Sequence, residues 1–247
     1  MNFSSSGYFW VRHRKYFFAA LVAGLVLIFF YVCNAAPIKG IDVSAFQADI
    51  DWEVVSQSDI EFVFIKASEG IGFSDPRFRE NWQQSHKAKL YRSAYHFFSF
   101  QESGTAQAHF FLKQFNGKGY GEIPPVLDFE WDEKFCTVSD AQKKQARTAV
   151  KDWAKVVSNA VGHSNLILYT NPFTAECYSL DQTISDAFHL WLAQYDVGKP
   201  DIVGTWRNVS FWQYTDIGRI AGVPTAVDLD RFMGDRIDFY RILNRGP

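Results

Sequence analysis

Pro125-Val126-Leu127-Asp128-Phe129-Glu130, the run PVLDFE, reads as a β-strand whose two faces differ in chemistry. Side chains alternate along a strand, so Val126, Asp128 and Glu130 take one face while Leu127 and Phe129 take the other. A strand covered on both sides is ordinarily apolar throughout, because an ionisable group taken out of water needs compensation. Two acids on one face of such a strand mark a place where charge is wanted. A close carboxylate pair can keep one member protonated near neutral pH, which suits it to proton donation. Taken alone, Asp-x-Glu is equally what a solvated strand end looks like.

Seven further runs of the same kind surround this one: Gly40 to Ser44, Phe62 to Ala67, Arg92 to Phe98, Leu166 to Thr170, Leu190 to Tyr195, Ser210 to Thr215 and Ala226 to Asp230. Helical patterning lies between the early ones, over Arg77 to Leu90, Thr105 to Phe115 and Ser139 to Ala160, with Ser139 as N-cap and Gly162 just past the last helix. Strand–helix alternation implies a parallel sheet. Between the fifth and sixth strands there is room for one short helix. The later connections, of about 14 and about 10 residues, are too short for a helical crossover. The expected fold is α/β: an irregular TIM-like barrel of eight strands, with helices only among the first five, (β/α)5(β)3, and an antiparallel step among the last three.

The chain of 247 residues is 47% hydrophobic and 17% aromatic, enough for one such barrel. A formal net charge of −2 lacks the electrostatic footprint of a nucleic-acid binder. The start is a separate object: Arg12, Arg14 and Lys15 precede Tyr16 to Val32, a stretch without charge. Basic residues before the run and none just after it keep the N-terminus in the cytoplasm and send the rest across the membrane. Residues 1–36 are read as a basic stub and signal anchor, or a signal peptide cleaved after Ala35, and residues 37–247 as an exported, mildly acidic domain tethered outside the cytoplasm. In an oxidising compartment Cys136 and Cys177 can form a disulfide, two buried thiols being the alternative. Nothing signals a dimer, so a monomer is expected.

In α/β barrels the site lies at the C-terminal ends of the strands. Polar groups gather there: Asp42 and Ser44, Lys66 and Glu69, Tyr95 and His96, Asp128 and Glu130, Tyr169, Gln194 and Tyr195, Gln213 and Tyr214, and Asp228 with Asp230. Each alone reads as a solvated end or a satisfied core group; together they form an acid-rich cleft lined by aromatics. The sequence has no phosphate-cradling glycine loop, no Gly-x-Ser-x-Gly elbow and no histidine pair at zinc spacing, so neither metal nor organic cofactor is expected. Glycosidic bond hydrolysis by paired carboxylates fits this profile.

GIDVSAFQADIDW (Gly40 to Trp52), FVFIKASEG (Phe62 to Gly70), SAYHFF (Ser93 to Phe98), PPVLDFE (Pro124 to Glu130), LYTN (Leu168 to Asn171), LWLAQY (Leu190 to Tyr195), FWQYT (Phe211 to Thr215) and VDLDRF (Val227 to Phe232) together resemble the glycoside hydrolase family 25 lysozymes, the Chalaropsis-type muramidases. The resemblance covers essentially the whole exported domain, in order. It implies an incomplete barrel and hydrolysis of the β-1,4 bond between N-acetylmuramic acid and N-acetylglucosamine in peptidoglycan glycan strands. Position by position it makes Glu130 the general acid, Asp128 its partner, Asp42 the first-strand acid and Asp228 the last-strand acid. Glu69, Tyr95, Tyr169, Trp191, Gln213 and Tyr214 are the candidate substrate contacts. Asp230 stands where the family more often has Asn, Ser68 where Thr is commoner, and Ser93 where Gly is usual. A sugar-binding protein that keeps the barrel but has lost turnover is the alternative.

Overall fold

The computed structural model describes residues 36–117, 119–131, 135–162 and 165–243, together with Phe18 and Val22. The apolar run Tyr16 to Val32 therefore lies outside the described residues apart from those two. Among the described residues no helix is long and apolar enough to cross a membrane.

In chain order the elements are β1 (Lys39–Val43), a 3-10 turn (Ala45–Gln47), α1 (Trp52–Val55), β2 (Ile60–Glu69), β3 (Phe73–Ser74), α2 (Phe78–Lys87), β4 (Tyr91–Phe97), α3 (Gly104–Lys113), β5 (Val126–Asp128), α4 (Asp140–Val161), β6 (Leu166–Thr170), α5 (Pro172–Cys177), α6 (Gln182–Ser185), β7 (Phe188–Ala193), β8 (Phe211–Gly218), β9 (Val227–Phe232) and α7 (Arg236–Ile242). The sheet runs β1-β9-β8-β7-β6-β5-β4-β2-β3, and pairing of β1 with β2 closes eight of the strands into a barrel. All neighbours in the barrel are parallel except β9, which runs antiparallel to both β8 and β1. This is the (β/α)5(β)3 plan, with β7, β8 and β9 joined without helices.

Local sequence explains the boundaries. Ser139 caps α4 through a capping box with Gln142, and Gly162 ends the helix in the left-handed conformation at φ 72°. Gly104 opens α3 where a Cβ would stand 1.8 Å from the Ala149 carbonyl oxygen, so only glycine lets α3 and α4 approach so closely. Four details differ from the sequence reading. The strand PVLDFE stops at Asp128, leaving Glu130 on the loop that follows. Two short helices, α5 and α6, fill the step where one was expected. β3 adds a two-residue hairpin to β2, and α7 closes the far end of the barrel.

The aromatic content is mainly core. Inside the barrel Phe62, Phe64, Phe211, Phe232 and Phe239 pack edge to face or tilted, with ring centroids 5.2–6.0 Å apart. The opposite strand face supplies Ile41, Val43, Val63, Ile65, Leu127 and Leu168 to a second layer beneath the helices, where Val150, Trp153 and Val157 of α4 meet them. Cys136 and Cys177 are joined in a disulfide, Cα atoms 5.4 Å apart, tying the segment after β5 to the end of α5.

Candidate active site

Strand alternation aims at least one side chain from each of the eight barrel strands into a common cavity of about 290 Å3 at the C-terminal end of the parallel strands. β1 gives Asp42, β2 Lys66, β4 Tyr95, β5 Asp128, β6 Tyr169, β7 Trp191, β8 Gln213 and β9 Asp228, and Glu130, Tyr195 and Phe46 stand at its edge. A second hollow of about 310 Å3, lined by Glu69, Phe97 to Gln101, Glu130 and Trp131, shares Phe97 and Glu130 with the first. The two form one groove with Glu130 between them. Lys66 lies on its wall, paired with Glu69 at 2.8 Å and with its ammonium 4.8 Å from the Phe97 ring centre.

On the wall opposite β5, Asp42 and Asp228 are register partners in the antiparallel β1–β9 pair and hydrogen-bond to each other. Gln213 fixes how they share protons. Its Oε1 accepts from the hydroxyls of Tyr169, at 3.0 Å, and Tyr195, at 2.6 Å, so its amide nitrogen faces Asp42 and donates to Oδ2 at 2.7 Å. A proton on Asp42 therefore sits on Oδ1. Burial, then the charges of Asp228 and Asp230, push the Asp42 carboxyl well above the usual range. Asp228, half-buried, is pushed up to about 6, by burial first, with the hydrogen bond from Asp42 opposing. Of the two, Asp42 holds its proton to the higher pH.

Residues 41–223 match the glycosyl hydrolases family 25. The chain belongs to that family. The family 25 chain is 30% identical over 216 residues to lysozyme M1 of Streptomyces globisporus, covering 85% of this chain and 73% of that one. It is 34% identical over 215 residues to the Escherichia coli K12 protein YegX, covering 80% and 70% respectively. The crystal structure of a bacterial lysozyme from Streptomyces coelicolor superimposes with a TM-score of 0.75 at 28% identity, over 85% of this chain and 99% of that one.

Most residues singled out in the family 25 sequence meet in the groove: Asp42, Asp128, Glu130, Asp228, Tyr95, Tyr169, Trp191 and Gln213 in the first hollow, Glu69 in the second. Tyr214 is placed elsewhere. It neighbours Gln213 on β8 and so points outward, where its ring meets Trp212 and the Arg231 guanidinium. His96 also points outward, fully buried between barrel and helices. Its Nδ1 accepts from Ser68 Oγ at 2.9 Å, its Nε2 donates to Gln107 Oε1 at 3.2 Å, and burial lowers it to about 4, leaving a neutral packing group.

Sequence reasoning missed Phe46. Its side chain is 84% exposed although it lines the acid cavity. The turn that carries it is firmly held: Ser44 Oγ accepts from Phe46 N, Gln47 Oε1 from Ser44 N and Asp75 Oδ2 from Ala45 N. A single aromatic on a 3-10 turn has no periodicity to betray it; the capping pair Ser44 and Gln47 was the available signal.

Proposed function

We propose that this family 25 hydrolase is a muramidase, cleaving the β-1,4 bond between N-acetylmuramic acid and N-acetylglucosamine in peptidoglycan, with Glu130 as general acid. The observation that carries the proposal is the groove itself. Two carboxyl groups of the β5 end face a hydrogen-bonded Asp42–Asp228 pair across the groove. Glycoside hydrolysis needs a proton donor on the leaving oxygen and a negative group beside the positive charge that develops at the anomeric carbon. Glu130, at the junction of the two hollows, has the position to donate. Asp128 lies beside it on the inward face, and Asp228 supplies the charge opposite, held ionised by the proton on Asp42. Relatives carrying the names lysozyme and muramidase support the same reading.

The exposed Phe46 and the walls of Tyr95, Tyr169 and Trp191 serve as surfaces for sugar rings. The basic N-terminal stub and the uncharged run from Tyr16 to Val32 deliver the barrel to the side of the membrane where peptidoglycan lies and tether it there.

The test is digestion of purified peptidoglycan by the full chain, wild type and Glu130→Gln, followed by borohydride reduction and mass spectrometry of the products. Reduced muramic acid ends are expected from the wild type, at least about 100-fold more slowly from the variant. Reduced N-acetylglucosamine ends, or no cleavage alongside measurable binding, would refute the muramidase assignment.

A further inference from the structure

Asp230 lies on the inward face of β9, two residues from Asp228 and one layer deeper in the barrel, opposite Gly40 of β1. It is fully buried. Trp191 Nε1 gives a hydrogen bond of 2.8 Å to Oδ1, and the Asp42 carboxyl is its other side-chain hydrogen-bond partner, while no N–H or hydroxyl group serves Oδ2 among the described residues. An ionised carboxylate removed from water needs several donors or a cation, and this one has one indole N–H and a hydrogen bond shared with another acid.

The charged and titratable groups facing it supply no cation. Asp42 comes from β1 and Asp228 from its own strand. From β8 it meets the neutral Gln213, from β7 the indole. Lys66, the cation of the cavity, is committed to Glu69. Arg231 points to the outer face, over Trp212 and Tyr214. Three acids crowd together with no positive partner among them.

Building on the muramidase reading, we propose that Asp230 is a positioning residue of the hydrolytic site that works in its protonated form. Through Oδ1 it pins the Trp191 indole as the floor beneath Asp42 and Asp228, and by carrying a proton it keeps a third negative charge out of the cluster. The pinned indole is wedged against Phe64, centroids 4.1 Å apart, and Tyr169, 4.6 Å. Tyr169 in turn holds Gln213, so the floor and the proton order of Asp42 and Asp228 form one connected unit. Burial first, and then the charge of Asp228, favour the neutral form of Asp230, against the opposing hydrogen bonds with Trp191 and Asp42. As pH rises, ionisation of Asp230 places a buried charge beside Asp228, which costs stability and loosens the floor on which Asp42 and Asp228 rest. Asparagine keeps an acceptor for Trp191 and cannot ionise.

The experiment compares the full chain with Asp230→Asn by thermal unfolding from pH 4 to pH 9, by the pH profile of kcat/KM on peptidoglycan, and by the infrared band of protonated carboxyl groups at pH 7. The sign follows from linkage: a carboxyl whose folded pKa is raised adds stability below its unfolded value, lost as pH rises through the folded one. Expected are near-equal Tm values at pH 4, a variant more stable by at least about 3 °C at the alkaline end, an alkaline limb of kcat/KM moved up by about one pH unit or more, and loss of one protonated-carboxyl band. Parallel Tm curves with an unchanged band, or a variant destabilised at every pH, would show that Asp230 is ionised and overturn the proposal. The unfolding and infrared readouts need no turnover, so they decide on Asp230 even if the muramidase reading fails. Tryptophan fluorescence unchanged by Asp230→Leu would refute the pinning of Trp191.

Discussion

Replacing Gln213 by leucine removes the side chain on which two walls of the groove meet. In the wild type its amide nitrogen serves Asp42 and its oxygen serves the hydroxyls of Tyr169 and Tyr195. Tyr195 is 37% exposed and can turn to water, but Asp42 and Tyr169, at 6% and 8% exposure, cannot. Two buried polar groups are thus orphaned at about 1–3 kcal/mol each, and the apolar burial of leucine offsets part of that. The net cost is about 3 kcal/mol, or about 6–12 °C of Tm for a domain of this size, measurable by calorimetry on the full chain. Coupling gives a sharper check. Tyr169→Phe costs about 1 kcal/mol in the wild type and close to nothing in the Gln213→Leu background, because the hydroxyl has already lost its acceptor. Strictly additive costs, or a Tm loss below about 2 °C, would refute the relay and with it the assignment of the Asp42 proton to Oδ1.

Asp228, pushed up to about 6, has to be ionised to work, so kcat/KM falls as pH drops through about 6, and Asp228→Asn abolishes that limb together with most of the rate; a limb retained in the variant assigns it to another group. Phe46→Ala raises KM about fivefold, on the order of 1 kcal/mol, with kcat within about twofold, and Phe46→Trp restores it. Equal loss in kcat would mean that the ring acts in the chemical step instead of in ground-state binding.

The barrel was legible because its signals are local and repeated. In β1, Gly40 and Asp42 alternate with Ile41 and Val43, and in β9, Asp228 and Asp230 alternate with Val227 and Leu229, so period two alone puts the acids of each strand on one face. The same rule applies to Gln213 and Tyr214, adjacent on one strand: both were candidate contacts, yet only Gln213 faces the cavity. What escaped were elements too short to carry a period. β3 is two residues long, and α7 buries chiefly Phe239, one ring, against the barrel. The end of β5 also misled: Phe129 N still bonds the Tyr169 carbonyl oxygen at 2.9 Å, prolonging strand character up to Glu130, yet regular pairing stops at Asp128. The order of protons among Asp42, Asp228 and Asp230 depends on contacts between strands β1, β7, β8 and β9, which no single stretch of sequence contains.

The chain enters β1 at Lys39, at the end of the barrel sealed by Phe239 of α7 and by Ile38, whereas Asp42 and Ser44 lie toward the open end. A five-residue strand spans about 17 Å, so the point of attachment and the groove lie at opposite poles. Residue 36 therefore joins the barrel on the side away from the groove. An anchored barrel would present its mouth outward, toward a polymer mesh layered above the bilayer, with its closed base toward the lipid. The reach of such an enzyme would be set by the height of the barrel as much as by the length of its leash.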